Sequence, residues 1–491
     1  MSSSPTLTIT LGLLLVILVS IPVISLNLKS VREPTGQAAA NTLIVGSGGY
    51  STIQAAVNAA ADGDIIQVRA GTYNEQVKVT KPLTLQGDTG AIIDGQCSRE
   101  NGIEIVQERD LEIGGPLYAD VSNITVSGFE IRNTRRSGVH IGNSDDLPMS
   151  VAPHDTTIRN NYIHDFNCDG GGDHDEAGVA SYFGGARTTI MNNTIRFRHN
   201  LSDTADGQRS ISDGIFFFSR NINPSGGGHI ITGNLVVGGW DGIGGWGEDQ
   251  KDGVFDQDTL VENNTIRTCS DDGISAEGGG QNNRLRGNNI AGCLAGIAIA
   301  SPISGPTYVE NNTIDSTGGQ YCFKVGNPST ATAHIIGNRC TGFKGIQQTD
   351  PQHANLVVRS NCFNVQRYVF EFPYGPSSGL DFDGDTMFSG GTPFKWDNVL
   401  YSTLSAFQSA SGQERTGQAT SSCPLSGGTT PPPPPPPSSK VGDINGDGSV
   451  NILDLSVLLT KWGTTDAAAD LSKNGKVDII DLSILLSKWG S

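Results

Sequence analysis

The chain has 491 residues, with 64 glycines, only 17% charged side chains and a formal net charge of −18. An acidic surplus of that size argues against nucleic acid or an anionic membrane surface as partner, and the length admits several domains. Eight cysteines, an even number, suit disulfides in an oxidising compartment, although cysteine also serves as a small core residue.

The first predicted element is Ile9–Leu28, a run without a charge. It is long enough to span a bilayer and also fits a secretory signal. Lys29 and Arg32 follow it and no Lys or Arg precedes it, which by charge bias favours the less usual orientation. Residues 1–30 are read as a signal peptide or membrane anchor, the only route to a membrane. In Tyr50–Val79, Ser51 is placed as the N-cap of a short helix with Ile53, Ala56, Val57 and Ala60 on one face. Ile65–Val68 is placed as the first strand. A helix there would cover the open end of a repeat array.

From Phe129 to Phe363 one pattern keeps returning. It reads TIRNNYI at Thr157–Ile163, TIMNNTI at Thr189–Ile195, IITGNLV at Ile230–Val236 and LVENNTI at Leu260–Ile266, and continues through RLRGNNI, YVENNTI and HIIGNRC. Its asparagines are Asn161, Asn193, Asn234, Asn264, Asn288, Asn312, Asn338 and Asn361, with gaps of 32, 41, 30, 24, 24, 26 and 23 residues. A minimum near 23 with longer excursions is the mark of a solenoid. The units hold short runs of Val, Ile and Thr with Gly and Asn at corners, and no helical period. The predicted fold is therefore mainly β: a parallel β-helix solenoid with an interior Ile column, an asparagine ladder at one corner, and function in the long loops. The Asn-Xaa-Thr sequons coincide with this corner and are read as structure. Cys269 and Cys293 fall at equivalent places one coil apart, and Cys340 and Cys362 at nearby corners, so both are candidate pairs. Partners for Cys97, Cys168, Cys322 and Cys423 stay open. Tyr401–Gln413 reads as a short closing helix.

This opening and these repeats resemble right-handed parallel β-helix proteins of the pectin lyase-like superfamily, over residues 41–424. Three successive units carry Asp-Gly-Ile, at Asp213, Asp241 and Asp272, with Asp271 adjacent; flanking units read Ala177-Gly178 and Ala295-Gly296. In register the aspartates stack about 5 Å apart. They persist if a cation neutralises them, if one is protonated, or if solvent screens them. Asp-Gly is also a common turn dipeptide, and repeats copy their turns. The resemblance implies acidic clusters that hold Ca²⁺ in lyases, with a Lys or Arg base, or that act as acid and base in polygalacturonases. Ser270–Ile274 (SDDGI) resembles the paired aspartates of the latter; their Gly-His-Gly is replaced by Leu294-Ala295-Gly296. The expected catalytic residues are Asp213, Asp241, Asp271 and Asp272. Expected substrate contacts are Trp240, Trp246, Glu248 and Glu277, aromatics and carboxylates suited to sugar rings. Arg209, Arg220 and Lys251 are candidate bases. The loop His164–Glu176, with Asp165, Asp169, Asp173, His174, Asp175 and Glu176, is a calcium-loop candidate or a solvated acidic loop.

Residues 425–440, with seven prolines, read as a semi-rigid polyproline II linker. Residues 441–491 form a small α-helical tandem EF-hand-like domain. In Asp443–Asp454, the donors of a twelve-place calcium loop fall on Asp443, Asn445, Asp447, Ser449 (carbonyl), Asn451 and Asp454, with Gly448 at the turn. Asp470–Asp481 repeats it with Asp470, Ser472, Asn474, Lys476 (carbonyl), Asp478 and Asp481. Each loop opens into an apolar helix. The pair resembles type I dockerin modules, which implies calcium-dependent folding and a cohesin partner. Ile452-Leu453 and Ile479-Ile480 are apolar where such modules carry a polar recognition pair. Together these features predict a secreted or surface-attached carbohydrate-active protein, a lyase or hydrolase of polysaccharide docked to a cohesin. The alternative is a non-catalytic extracellular protein that binds glycans or mediates adhesion.

Overall fold

The computed structural model describes residues 40–107, 121–142, 152–168, 176–182, 186–197, 212–218, 227–245, 255, 257–299, 305–326, 331–351, 355–374, 379–420, 423, 442, 450, 455, 458, 461–464 and 469–489. The Ile9–Leu28 run and the proline linker lie outside them. Among the described residues no helix is long and apolar enough to cross a membrane.

Short strands alternate inward apolar and outward polar residues and pair in parallel with their counterparts one coil on, except that Val399–Tyr401 turns back antiparallel on Phe394–Trp396. Among the described residues the first ladder has thirteen strands, from Thr42–Val45 to Leu380–Asp383. Through its middle runs the buried column Ile158, Ile190, Ile231, Val261, Leu285, Val309, Ile335 and Val358. A second ladder stacks Ile163, Ile195, Val236, Ile266, Ile290, Ile314, Cys340 and Phe363. A third stacks Val139, Val179, Ile215, Ile243, Ile274, Ile297, Phe323, Ile346 and Phe370. Two long strands, Thr313–Val325 and Arg339–Gln348, run from the second ladder into the third. The three columns meet in one core, and coils repeat every ~4.8 Å along it.

The corner between the first two ladders holds the asparagine ladder. From Asn161 to Asn338 each backbone N–H donates to Oδ1 of the next asparagine at 2.9–3.0 Å, and each Nδ2 donates to the same oxygen at 2.9–3.1 Å. The repeat asparagines are thus structural, as their spacing predicts.

Three local expectations are corrected. A strand, Thr42–Val45, precedes the helix, so Ile65–Val68 is the second strand. The helix Ile53–Ala59 is capped by Thr52 rather than Ser51, because Thr52 is extended and its hydroxyl accepts the Ala55 N–H. Cys269 pairs with Cys293 as expected, but Cys340 does not pair with Cys362. Cys362 stands opposite Arg339 and Phe363 opposite Cys340, so the two thiols point to opposite faces of the ladder. Cys340 instead joins Cys322, Cys362 joins Cys423, and Cys97 joins Cys168. The helix Leu404–Ser411 closes the last coil by seating Phe407 against Phe370, Phe394 and Trp396.

Candidate functional site

The Asp-Gly dipeptides are not turns bought by glycine's positive φ. Each glycine begins a strand of the third ladder where it passes close to the second. A side chain at Gly242 would collide with Ile266 and with the Gly273 carbonyl, and Gly214 and Gly273 are confined in the same way. Gly138, Gly178 and Gly296 stand in equally tight places. With Gly102 and Gly345, which are hemmed in alike, the glycine is common to eight of the described coils, whereas the aspartate before it occurs on three. Backbone geometry accounts for the glycine and leaves the aspartate unexplained.

Hydrogen bonding explains two of the three. Asp213 Oδ1 accepts the Asp241 N–H at 3.0 Å, and Asp241 Oδ1 accepts the Asp272 N–H at 2.9 Å. The next residue in the column is Ala295, and its N–H goes to the Asp271 carbonyl. Among the described residues Asp272 Oδ1 has no partner, although Asp272 is only 2% exposed. A buried, unsatisfied carboxyl oxygen is costly and calls for a reason.

Around it the charges are dense. Carboxylate oxygens of Asp241, Asp271 and Asp272 lie within 4.8 Å of one another. Lys324 Nζ is 3.5 Å from Asp272 Oδ2 and 2.9 Å from Glu277 Oε1. Burial, opposed by Lys324 and reinforced by Asp271 and Glu277, pushes Asp272 up to about 8. Burial and the neighbouring aspartates also raise Asp213 and Asp241 well above the carboxylate range. Burial pulls Lys324 down, but Asp272 and Glu277 outweigh it and hold the ammonium well above the usual lysine value. Tyr321, nearly buried beside them, is raised by desolvation. The outward face next to Asp213 is apolar: Ala177, Ala180, Phe216 and Phe218 form a small buried cluster of their own.

The structure thus brings Asp213, Asp241, Asp271, Asp272 and Glu277 to one face. Trp240 is half-buried one residue before Asp241, its N–H bound to the Ser212 carbonyl. Trp246 and Glu248 lie outside the described residues, as do the candidate bases Arg209, Arg220 and Lys251. Of the acidic loop, Asp165 binds His164 Nδ1 at 2.9 Å and Glu176 is buried, 4.0 Å from Arg136; Asp169, Asp173, His174 and Asp175 are outside. Sequence reasoning missed Lys324 and Tyr321. The pairing slips between Ser316 and Tyr321, so counting from the asparagine does not align Lys324 with the aspartates.

The second twelve-place loop is described in full; Asp443, Asn445, Asp447, Ser449, Asn451 and Asp454 of the first lie outside the described residues. Asp470 Oδ1 accepts the Asn474 N–H at 3.0 Å and the Ser472 hydroxyl at 3.2 Å, while its Oδ2 accepts the Gly475 N–H at 2.8 Å. Asp481, fully buried, accepts the Ser472 and Asp478 N–H groups, each at 2.7 Å. Asp478 caps the helix Ile479–Ser487 in a reciprocal capping box with Asp481. Asp470, Ser472, Asn474, Asp478 and Asp481 side chains with the Lys476 carbonyl supply hard oxygen donors, a set that fits Ca²⁺. Val450, Leu458, Ala469, Val477 and Leu485 form a separate small core.

Family models match two parts of the chain: "Dockerin type I domain" at residues 441–488 and "Right handed beta helix region" at residues 222–386. The chain is a right-handed β-helix protein with a type I dockerin domain. The dockerin match encloses both calcium loops. The β-helix match encloses Asp241, Asp271, Asp272, Glu277 and Lys324, and begins after Asp213. Solved structures resemble the chain only distantly. A mannuronic acid specific polysaccharide family 6 lyase from human gut microbiota is 13% identical, with a TM-score of 0.49 over 73% of this chain and 83% of that one. PfbA, a surface adhesin of Streptococcus pneumoniae, is 12% identical, with a TM-score of 0.45 over 69% and 82%. A GH87 alpha-1,3-glucanase from Streptomyces thermodiastaticus is 16% identical, with a TM-score of 0.43 over 78% and 69%. No curated protein matches the chain.

Proposed function

We propose that this is an extracellular carbohydrate-active enzyme that hydrolyses glycosidic bonds in a polysaccharide, and that its calcium-loaded dockerin domain docks it to a cohesin. The observation that carries the catalytic reading is Asp272: buried, unsatisfied at Oδ1, raised to about 8 and grouped with Asp241 and Asp271. A carboxylic acid that keeps its proton at neutral pH can give it to a leaving glycosidic oxygen. Asp271, the more exposed carboxyl, is assigned the opposing role of base or nucleophile. Asp213 and Asp241 brace the strand ends that present the pair, and Trp240 offers a ring for sugar stacking. Hydrolysis is favoured over elimination because Lys324, the cation beside Asp272 among the described residues, is held protonated by Glu277 at 2.9 Å and is a poor proton abstractor. The four disulfides suit an oxidising, extracellular setting.

The test is the full-length protein on a panel of neutral and acidic polysaccharides. New reducing ends without ultraviolet-absorbing unsaturated products are expected, and Asp272→Asn should lower the rate about a hundredfold or more. Unsaturated products would replace hydrolysis with elimination. Glycan binding without any product, or an Asp272→Asn variant as fast as the parent, would overturn the catalytic assignment.

A further inference from the structure

Lys324 belongs to a coil two steps beyond Asp272, about 10 Å along the solenoid axis. Register places Asp272, Ala295 and Tyr321 in one outward column, and Ser275, Ala298 and Lys324 in the next. Both residues of the intervening coil are alanine, and both are fully buried. That two-alanine gap lets the lysine stem lie back across a whole coil and end between Asp272 and Glu277. Larger side chains at 295 and 298 would fill that path, and the Ala295 N–H is already taken by the Asp271 carbonyl, which leaves Asp272 Oδ1 without it. The place where the aspartate ladder stops is also the place where the lysine enters.

The geometry points to Lys324 and Glu277 as an opposed pair of positioning residues that set the protonation of Asp272, Lys324 favouring its carboxylate and Glu277 its acid form. Glu277 acts twice: its charge repels that of Asp272, and it draws the ammonium to 2.9 Å, leaving Asp272 the longer contact of 3.5 Å. Asp272 also faces Asp241 on the preceding coil, with Asp213 beyond it, Asp271 at its side and the Tyr321 hydroxyl from the strand that carries Lys324. Among these groups Lys324 is the cation. A neutral side chain at 324 therefore removes the influence that favours the carboxylate. A neutral side chain at 277 removes a like charge and frees the ammonium to close on Asp272. The two substitutions must act in opposite directions.

This inference rests on Asp272 being the proton donor only for its kinetic consequence; the titration itself does not need catalysis. The experiment is infrared difference spectroscopy of full-length protein against Asp272→Asn, which isolates the Asp272 carboxyl band across pH. Relative to the parent, Lys324→Met should move its midpoint up, and Glu277→Gln should move it down, each by about one pH unit or more. Lys324→Arg, which keeps the charge, should stay near the parent. On any cleaved glycan, the basic limb of kcat/KM should move with the midpoint. Opposite shifts of the band in a protein that cleaves nothing would uphold the pair and refute the hydrolase reading. Shifts in the same direction, no shift, or an Arg variant displaced as far as Met would overturn the pair even in an active enzyme.

Discussion

A buried asparagine has several hydrogen-bonding places to fill, and the corner column fills them with its own kind. Asn264 Nδ2 donates to the Ile231 carbonyl at 2.8 Å and to Asn288 Oδ1 at 3.0 Å; its Oδ1 accepts the Asn234 N–H and Nδ2. Asn264→Ala strands several of these groups in the dry interior, at 1–3 kcal/mol each, so a loss on the order of 3 kcal/mol is expected from denaturant unfolding. A loss below about 0.5 kcal/mol would show that the ladder is decorative. The aspartate column uses the same backbone-to-side-chain bond but with an acceptor that ionises. Burial first, and then the neighbouring aspartates, raise Asp241 above the unfolded value of 3.8. The sign follows: the folded state binds the proton more tightly, so this stability is whole below about pH 4 and is lost as pH rises through the folded value. Asp241→Asn keeps an oxygen for the Asp272 N–H and cannot ionise. Its melting temperature should fall less than the parent's from mildly acidic to mildly alkaline pH, and an unchanged slope would remove the electrostatic account.

Each ladder, taken as an element, must end somewhere, and the asparagine ladder ends in acids. Asn361 donates its N–H to Asp385 Oδ1 at 2.6 Å and its Nδ2 to the same oxygen at 3.0 Å; the Asp385 N–H passes to Glu414 Oε2 at 3.2 Å. Both carboxyl groups are fully buried, and burial raises both, Asp385 further through Glu414. Asp385→Asn would continue the asparagine pattern and give Glu414 a neutral donor. It should stabilise the chain at neutral pH by on the order of 1 kcal/mol, read as a raised melting temperature; a lowered one would mean that the acid pair already shares its proton well. The coil spacing, the asparagine column and the closing helix were legible because each is a local residue type at a fixed interval. The three aspartates were legible as a column for the same reason. What escaped were features set by facing rather than spacing. Cys340 and Cys362 are close in count but point to opposite faces. Lys324 sits beyond the slip at Ser316–Tyr321, so no interval ties it to Asp272. The Ser51 assignment missed by one residue because Thr52 also offers a hydroxyl.

The whole molecule has two unequal cores. The β-helix core draws on dozens of buried residues in three ladders, whereas residues 450–485 contribute Val450, Leu458, Ala469, Val477 and Leu485. A core of that size in a segment of about 50 residues is marginal without a metal or a covalent staple. The disulfides all lie at or before Cys423, so none staples residues 441–491, and calcium is the staple we propose for them. In the second loop, backbone N–H groups hold both Asp470 oxygens, and Asp481 is buried; these carboxylates converge whether or not a cation balances their charge. Calcium at a hundredfold excess over its Kd stabilises the liganded fold by about 2.7 kcal/mol, a large share of what so small a core can supply. Differential scanning calorimetry of the full chain should therefore show two transitions. A chelator should lower or abolish one and leave the β-helix transition in place. Asp481→Ala should reproduce the chelator's effect in saturating calcium. Chelator-driven loss of the β-helix transition, or a calorimetric trace indifferent to calcium, would refute the division of stability between the two cores.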